Sequence, residues 1–294
     1  MNNQNAVIEK ASAFLGKNLN NYQTNYNPNL LVPIERKFNR EDYKITNSDF
    51  CGYDIWHNYE CSFMTENGYP VSLVGKVKIP CDSKYFIESK SMKLYFFSFH
   101  MEKIPGNKKQ AIEEYKRIVI RDLSARTESN VQFEVFEKSN NIDVYNDFKN
   151  IEDIINIETI KFDQFKETPD IINVEDNSGE IKVRFNNIRS NCRVTHQPDF
   201  ANLFIYVKGN KLPSYESLLK YVVSFRNEYH FHEEVTEQIY KVLLTKLNPE
   251  KLLVQMLFTR RGGIDINPVR ANDIALIDSN IIDINCLTNG TVFQ

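Results

Sequence analysis

Apolar residues in the first half of the chain follow two different periods, which predict strands and helices in a fixed order. Alternation over residues 71–77 and again over 131–135 predicts two strands, because successive side chains of a strand point to opposite faces. Spacings of three and four residues predict two helices between them. The residues that define the four elements are Val71, Leu73 and Val77; Met92, Tyr95, Phe96 and Phe99; Ala111, Ile112, Tyr115, Ile118 and Val119; and Val131, Phe133 and Val135.

The second half repeats this order. Its elements are a strand with Leu203, Ile205 and Val207, a helix over residues 214–225, a helix with Val235, Ile239, Val242 and Leu243, and a last strand with Leu252, Val254, Met256 and Phe258. A shift of 126 residues superimposes Ser91 on Ser217, Tyr95 on Tyr221, Ser98 on Ser224 and Phe99 on Phe225. The matches agree with the element order, so we predict a tandem duplication.

Strands that return after pairs of helices favour an α+β fold with antiparallel sheets over a doubly wound parallel sheet. Residues 140–179 are rich in Asn, Asp, Glu and Ile and show weak periodicity. We expect this region to connect two units, which gives domains 1–150 and 151–294.

Composition narrows the function. With 36 Lys and Arg against 39 Asp and Glu the net charge is -3, which argues against direct binding of a polynucleotide. The five cysteines are widely spaced and form no C-x-x-C pair, so we expect reduced thiols rather than disulfides or a zinc knuckle. Residues 1–10 are polar and no apolar run is long enough to cross a bilayer. We expect a cytoplasmic protein without a membrane partner.

The clearest chemical signal is a thiol seven residues before a carboxylic acid, Cys192 and Asp199. This pair is typical of a nucleophile and its proton donor, and a thiolate at Cys192 would be favoured by a nearby Arg193 or His196. The alternatives are a buried cysteine acting as a small apolar residue and an ordinary turn aspartate after Pro198.

A second cluster places Phe231, His232 and Glu233 before a predicted helix. The imidazole can exchange a proton near neutral pH, and the carboxylate can accept hydrogen bonds from the donor edge of a heterocycle. The alternative is that Glu233 and Glu234 only complement the positive end of the helix dipole.

Two further segments suit a phosphate-bearing ligand. Glu88, Ser89 and Lys90 open a predicted helix, where free backbone N–H groups favour an anion, although the same residues can be a simple helix cap. Residues 259–268 follow the predicted last strand and contain Arg260-Arg261-Gly262-Gly263. Arginine reads phosphate oxygens and glycine allows close approach of the backbone, but an exposed turn would look the same.

A metal site is the weakest hypothesis. Cys192 and His196 could join His230 and His232, but these positions do not match a recognised zinc spacing. We therefore expect no metal.

Taken together and in this order, the segments resemble the NADPH-dependent 7-cyano-7-deazaguanine reductases, in the long duplicated form of that nitrile reductase family. The resemblance also includes Tyr26–Pro28, Gly52–Trp56 and Phe225–Arg226. It implies tandem tunnelling-fold (T-fold) units, each an antiparallel sheet backed by two helices, with subunits closing the sheets into a barrel. It also implies a homodimer.

The resemblance implies reduction of the nitrile of a free base, 7-cyano-7-deazaguanine, to the amine with two NADPH, on the route to queuosine in tRNA. Cys192 would form a covalent thioimide, with Asp199 as the acid and His232 assisting proton transfer. The implied substrate-binding residues are Ile87, Glu88, Ser89, Phe231, His232 and Glu233. The implied NADPH-binding residues are Ser89, Lys90, Arg260, Arg261 and Gly262.

Two rival functions remain open at this point. One is a cyclohydrolase-like hydrolase of the same fold, acting on a purine or pterin with zinc at Cys192 and the histidines. The other is a purine-binding protein without catalysis, which would have no need of a nucleophile and its acid.

Overall fold

Both halves of the chain contain a long antiparallel strand pair, then two helices, then further sheet, as the duplicated pattern predicts. The structure is a computed structural model and describes residues 25–292 and 294, without the side chain of Asn187. The polar segment 1–10 lies outside the described residues.

The first half contributes strands β1 to β7 and helices α1 to α3. The strands are Pro33–Glu35 (β1), Cys51–Thr65 (β2), Pro70–Pro80 (β3), Tyr85–Ile87 (β4), Lys103–Ile104 (β5), Gln132–Phe136 (β6) and Lys149–Asn150 (β7). The helices are Lys37–Asp42 (α1), Ser89–Phe97 (α2) and Lys108–Thr127 (α3). Helix α3 begins with a reciprocal capping box between Asn107 and Gln110, which satisfies two otherwise free N–H groups.

The second half contributes β8 to β13 and α4 to α6. The strands are Val174–Glu175 (β8), Gly179–Asn191 (β9), Pro198–Gly209 (β10), Leu212–Pro213 (β11), Lys251–Phe258 (β12) and Ile264–Ala271 (β13). The helices are Tyr215–Ser224 (α4), His232–Leu247 (α5) and Ser279–Ile282 (α6). The connection over 140–179 has only two-residue strands and short 3₁₀ turns, as its weak periodicity predicts.

The long strands of the two halves form one continuous sheet. Its order is β6-β3-β2-β13-β12-β10-β9-β7, with β5 paired to β2, and the long neighbours are antiparallel. The α+β class with antiparallel strands is confirmed. The prediction that residues 252–258 form the last strand is wrong, because β13 follows and pairs with β2 over eight positions.

Strands β2 and β13 approach closely at Gly52, which has φ +146°. A Cβ added there would lie 2.0 Å from the carbonyl oxygen of Val269. Only glycine fits this contact without displacing the backbone of β13. The junction between the halves therefore depends on a residue without a side chain.

The helices cover one face of the sheet and divide its apolar side chains into two cores. One core packs α2 and α3 against β2 and β3, and the other packs α4 and α5 against β9, β10 and β12. On the opposite face, Ile55, Leu253 and Val269 pack beneath the C-terminal segment. Within the described part of the chain, no helix has the length and apolar character that crossing a membrane requires.

Candidate active site

The segments singled out from the sequence meet at a cavity of about 280 Å³ between the two halves. The first half supplies β4 and the start of α2, and the second half supplies the β9–β10 hairpin, the start of α5 and the β12–β13 turn. The predicted site residues that line it are Ile87, Glu88, Ser89, Lys90, Cys192, Asp199, Phe231, His232, Glu233, Arg261 and Gly262.

Cys192 is half-buried in the hairpin that joins β9 to β10. Its backbone N–H donates to the carbonyl of Gln197 at 2.8 Å, and its carbonyl accepts from the N–H of His196 at 3.0 Å. The N–H of Thr195 donates to Cys192 Sγ at 3.5 Å. The tight loop thus turns the thiol toward a backbone donor.

Asp199 is buried on β10, opposite Ser190 of β9. Its carboxylate lies 3.0 Å from Nη1 of Arg261 and 3.6 Å from Nε2 of His232. The His232 ring packs on Phe258 with centroids 4.0 Å apart, which fixes its plane. A carboxyl group, an imidazole and a guanidinium therefore form one connected cluster at the cavity.

Arg193 and His196 do not pair with the thiol. Arg193 lies 2.9 Å from a carboxylate oxygen of Glu234, and its Nη2 donates to Nδ1 of His230 at 3.1 Å. His196 instead packs its ring against Tyr229. The prediction that these two residues assist Cys192 is not supported by their positions, because other partners engage both side chains.

Glu234 also accepts the backbone N–H of Phe231 at 2.9 Å, so one carboxylate caps α5 and neutralises Arg193. Glu233 lies beside it in the first turn of α5. It is 3% exposed, lines the cavity, and its Oε1 has no hydrogen-bond partner among the described residues. An unpartnered buried acceptor at a cavity is suited to a ligand with N–H donors.

Glu88 closes the other side as the N-cap of α2. Its two carboxylate oxygens accept the backbone N–H groups of Lys90 and Ser91 at 3.0 and 2.7 Å. Burial raises the pKa of Glu88, and the two backbone hydrogen bonds oppose that rise. The capping interpretation is confirmed, and the same carboxylate also borders the cavity.

Three basic side chains, Lys90, Lys93 and Arg261, line one wall of the cavity. Lys93, one turn after Lys90 on α2, lines it together with Arg261 and Gly262. Gly262 has φ +55°, and a Cβ there would lie 2.1 Å from Lys93 Nζ. Arg260 is directed elsewhere, with its guanidinium 3.2 Å from the centroid of the Tyr59 ring. It does not line this cavity.

His230 also lines the cavity, but it is committed to neighbouring carboxylates. Burial alone lowers its pKa, while hydrogen bonds with Glu228 and Glu234 outweigh that effect and raise it. Within the described residues, no group of three or more His, Cys, Asp and Glu side chains is arranged to hold a metal ion.

Comparison with known proteins decides the family. Residues 22–135 match the family described as nitrile reductase, 7-cyano-7-deazaguanine-reductase N-term, and residues 198–275 match the QueF-like protein family. The NADPH-dependent 7-cyano-7-deazaguanine reductase of Rickettsia canadensis is 38% identical over 266 residues, covering 90% of this chain and 94% of that protein. The chain belongs to this reductase family.

Two Acinetobacter reductases of the same name give similar results. The protein of A. baumannii strain SDF is 36% identical and covers 89% of this chain and 94% of its own length. That of A. baylyi is 35% identical and covers 92% and 96%. A solved structure, the archaeosine synthase QueF-Like in the apo form, aligns with a TM-score of 0.30 and 18% identity over 34% of this chain and 98% of its own.

Several residues that line this reductase-family cavity were not predicted as substrate- or cofactor-binding residues. They are Phe86, Lys93, Thr195, Gln197, His230, Phe258, Thr259, Ile264 and Ile266, of which His230 was considered only as a metal ligand. Lys93 had a usable signal, because it lies one helical turn from two predicted residues, Ser89 and Lys90. The apolar members had none, since an apolar residue facing a cavity looks like an apolar residue facing a core.

Proposed function

We propose that this chain reduces the nitrile of 7-cyano-7-deazaguanine to the primary amine with NADPH, a step toward queuosine in tRNA. The observation that carries the proposal is the meeting of Cys192, Asp199 and His232 with two buried carboxylates at one cavity, in a chain of this family. Neither a zinc hydrolase nor a binding protein without catalysis has a comparable supporting observation.

The base itself would be held by the two carboxylates. The substrate presents an amide N–H and an amino group on one edge, and Glu233 has a free buried oxygen to accept from them. Glu88 borders the same cavity, with Ile87 and Ser89 beside it. Phe231 offers a flat apolar surface against the base.

Covalent chemistry would begin at Cys192. Its sulfur adds to the electrophilic nitrile carbon as Asp199 takes up the thiol proton and delivers it to the nitrile nitrogen. The net change is addition of S–H across the C≡N bond, which leaves a thioimide. His232, 3.6 Å from Asp199, is placed to exchange the proton with that carboxyl group.

The basic wall fits NADPH. Lys90, Lys93 and Arg261 offer cations to its phosphates, and the missing side chain of Gly262 leaves the backbone open to close approach. Bound NADPH supplies the hydrides, two of which convert nitrile to amine. Ser89 lies at the α2 N-terminus, where backbone N–H groups favour an anion. Arg260 would need to leave the Tyr59 ring before it could contribute.

The direct test is to mix the protein with 7-cyano-7-deazaguanine and NADPH and to measure cofactor oxidation and product mass together. We expect two NADPH oxidised for each amine formed. No oxidation above a control without the base would overturn the proposal.

Gly262→Ala is expected to raise the KM for NADPH about tenfold, because the new Cβ meets Lys93 Nζ and the residue has positive φ. Steady-state kinetics with each substrate varied in turn would measure it. Adduct formation with the base alone provides the control and should be unchanged. An unchanged KM for NADPH would contradict the cofactor assignment.

For the assembly, we propose two tunnelling-fold units over 1–150 and 151–294 in a cytoplasmic homodimer whose sheets close into a barrel. The substrate that we propose is a free base and not a polynucleotide, which agrees with the net charge of -3. Light scattering should give twice the chain mass of 34.5 kDa. A stable monomer would contradict the dimer.

A further inference from the structure

A cluster of buried charges joins the two halves beside the cavity. Asp54 of β2 and Arg270 of β13 are both fully buried and lie 2.7 Å apart. Arg36, just before α1, pairs with Asp54, and Arg270 also lies 2.8 Å from Glu237 of α5. Arg40 binds the same Glu237 through two hydrogen bonds of 2.9 and 2.7 Å.

The cluster has an excess of positive charge. Among the described residues, three guanidinium groups face two carboxylates. Their other hydrogen-bond partners are neutral groups, such as Ser83 and the carbonyls of Cys81 and Tyr53. Burying an unbalanced charge is costly, so a third carboxylate nearby would stabilise the arrangement. Glu233 lies one helical turn before Glu237 on α5 and is itself buried.

Arg36 has a second connection to the cavity. Its guanidinium lies over the ring of Phe86, 5.4 Å from the centroid. Phe86 in turn packs edge to face on Phe231 at 5.3 Å. Both rings line the cavity, whereas Arg36 does not. One side chain therefore contacts the aromatic wall and also belongs to the charge cluster beside Glu233.

We propose that Arg36 is a positioning residue, which holds the Phe86–Phe231 wall and favours the ionised form of Glu233 as the acceptor for the donor edge of the base. This proposal rests on the proposed function. Arg36 would not touch the base or NADPH, and it would act through Glu233 and Phe86 alone.

The electrostatics agree with this geometry. Burial and, next, the charge of Asp54 raise the pKa of Glu233, while Arg36 and Arg270 lower it, and the net result is a pKa of about 8. Below that pKa Glu233 is protonated and accepts hydrogen bonds poorly, so affinity for the base should fall as pH falls through this range. Without the positive charge of Arg36, the pKa of Glu233 should rise further, so the loss of affinity for the base should begin at a higher pH.

Other titratable groups border the same cavity and could contribute their own pH dependence. They are Glu88 at the N-cap of α2, Lys90 and Lys93 on α2, Cys192 in the hairpin, Asp199 on β10, His230 before α5, His232 at its start, and Arg261 in the β12–β13 turn. A matched control is therefore needed. Arg40 provides it, because it belongs to the same cluster but contacts neither Phe86 nor the cavity.

The test compares wild type, R36Q, R36K and R40Q in kcat/KM for the base between pH 6 and 9. R36Q should raise the KM for the base about tenfold and move the acid limb upward by about one pH unit. In R36Q the KM for NADPH should stay unchanged. R36K keeps a positive charge, so its acid limb should lie close to that of wild type. R40Q should leave the acid limb at its wild-type pH, even if R40Q lowers the midpoint of unfolding as much as R36Q does.

Equal limbs in R36Q and R40Q, or an unmoved limb in R36Q, would overturn the proposal. If R36Q does not fold, Phe86→Leu and R36K replace it in the test. Both variants should raise the KM for the base, and F86L should leave the acid limb of the pH profile where it is in wild type. An unchanged KM for the base in both F86L and R36K would also overturn the proposal. Wild type without turnover would instead remove the proposed function, so the two failures are distinguishable.

Discussion

Cys192→Ala is expected to abolish the covalent adduct and to lower turnover on the order of 10⁶-fold, the loss seen when a catalytic nucleophile is deleted. Alanine cannot form the sulfur–carbon bond, and within the described part of the chain no other cysteine lines the cavity. Intact-protein mass after mixing with the base, without NADPH, measures the adduct. NADPH oxidation measures turnover.

The matched control is Cys51→Ala. Cys51 is also a half-buried free thiol, but burial raises its pKa and its Sγ donates to the carbonyl of Ala271, away from the cavity. This variant should keep the adduct and full turnover. An adduct of undiminished mass and yield in Cys192→Ala would assign the nucleophile to another residue.

Asp199→Asn should slow adduct formation and turnover by about 10²- to 10⁴-fold, the usual contribution of a positioned acid. The amide keeps the size of the side chain but cannot deliver a proton to the nitrile nitrogen, and it also loses the ion pair with Arg261. Time-resolved mass measurement of the adduct separates this step from hydride transfer.

A second aspartate serves as the comparison. Asp49 lies 2.8 Å from Lys241 in an ion pair outside the cavity, and Asp49→Asn should leave the rate of adduct formation unchanged. If Asp199→Asn formed the adduct as fast as wild type, Asp199 would not be the acid, and His232 would be the next residue to change.

The sequence predicted the helices and their neighbouring strands well because one face of each is apolar and the other is not. Tyr95 and Tyr115 lie fully buried on α2 and α3, as the period of three to four residues requires. Tyr221 takes the corresponding place on α4, as the shift of 126 residues predicts. The burial of these tyrosines could therefore be predicted from their spacing in the sequence alone.

Strand β13 was missed for a physical reason. Its polar residues Asp265, Asn267 and Arg270 are all buried, so the strand has no solvated face. Their partners come from distant elements: His57 lies 2.9 Å from Asp265, and Asp54 pairs with Arg270. Pro268 within the run further weakens the strand pattern. Such pairings depend on tertiary contacts that no local spacing reports.

The candidate site was predictable as a set of segments and not as a geometry. Cys192 and Asp199 are close in sequence, but the contact of Asp199 with Arg261 spans the hairpin and the β12–β13 turn. Arg260 illustrates the limit, since its chemistry is the same as that of its neighbour and only its orientation toward Tyr59 separates them. Arg36 belongs to none of the predicted segments.

The ladder between β2 and β13 has a consequence for a chain cut in two. Eight paired positions, from Asn58–Ile264 to Cys51–Ala271, tie the halves together without any help from the connecting peptide. A nick between β7 and β8 would leave fragments that remain associated, because separation would expose two long unpaired strand edges and the buried arginines. The two pieces would therefore need to be produced together, because each alone would expose a long strand edge that is prone to aggregation.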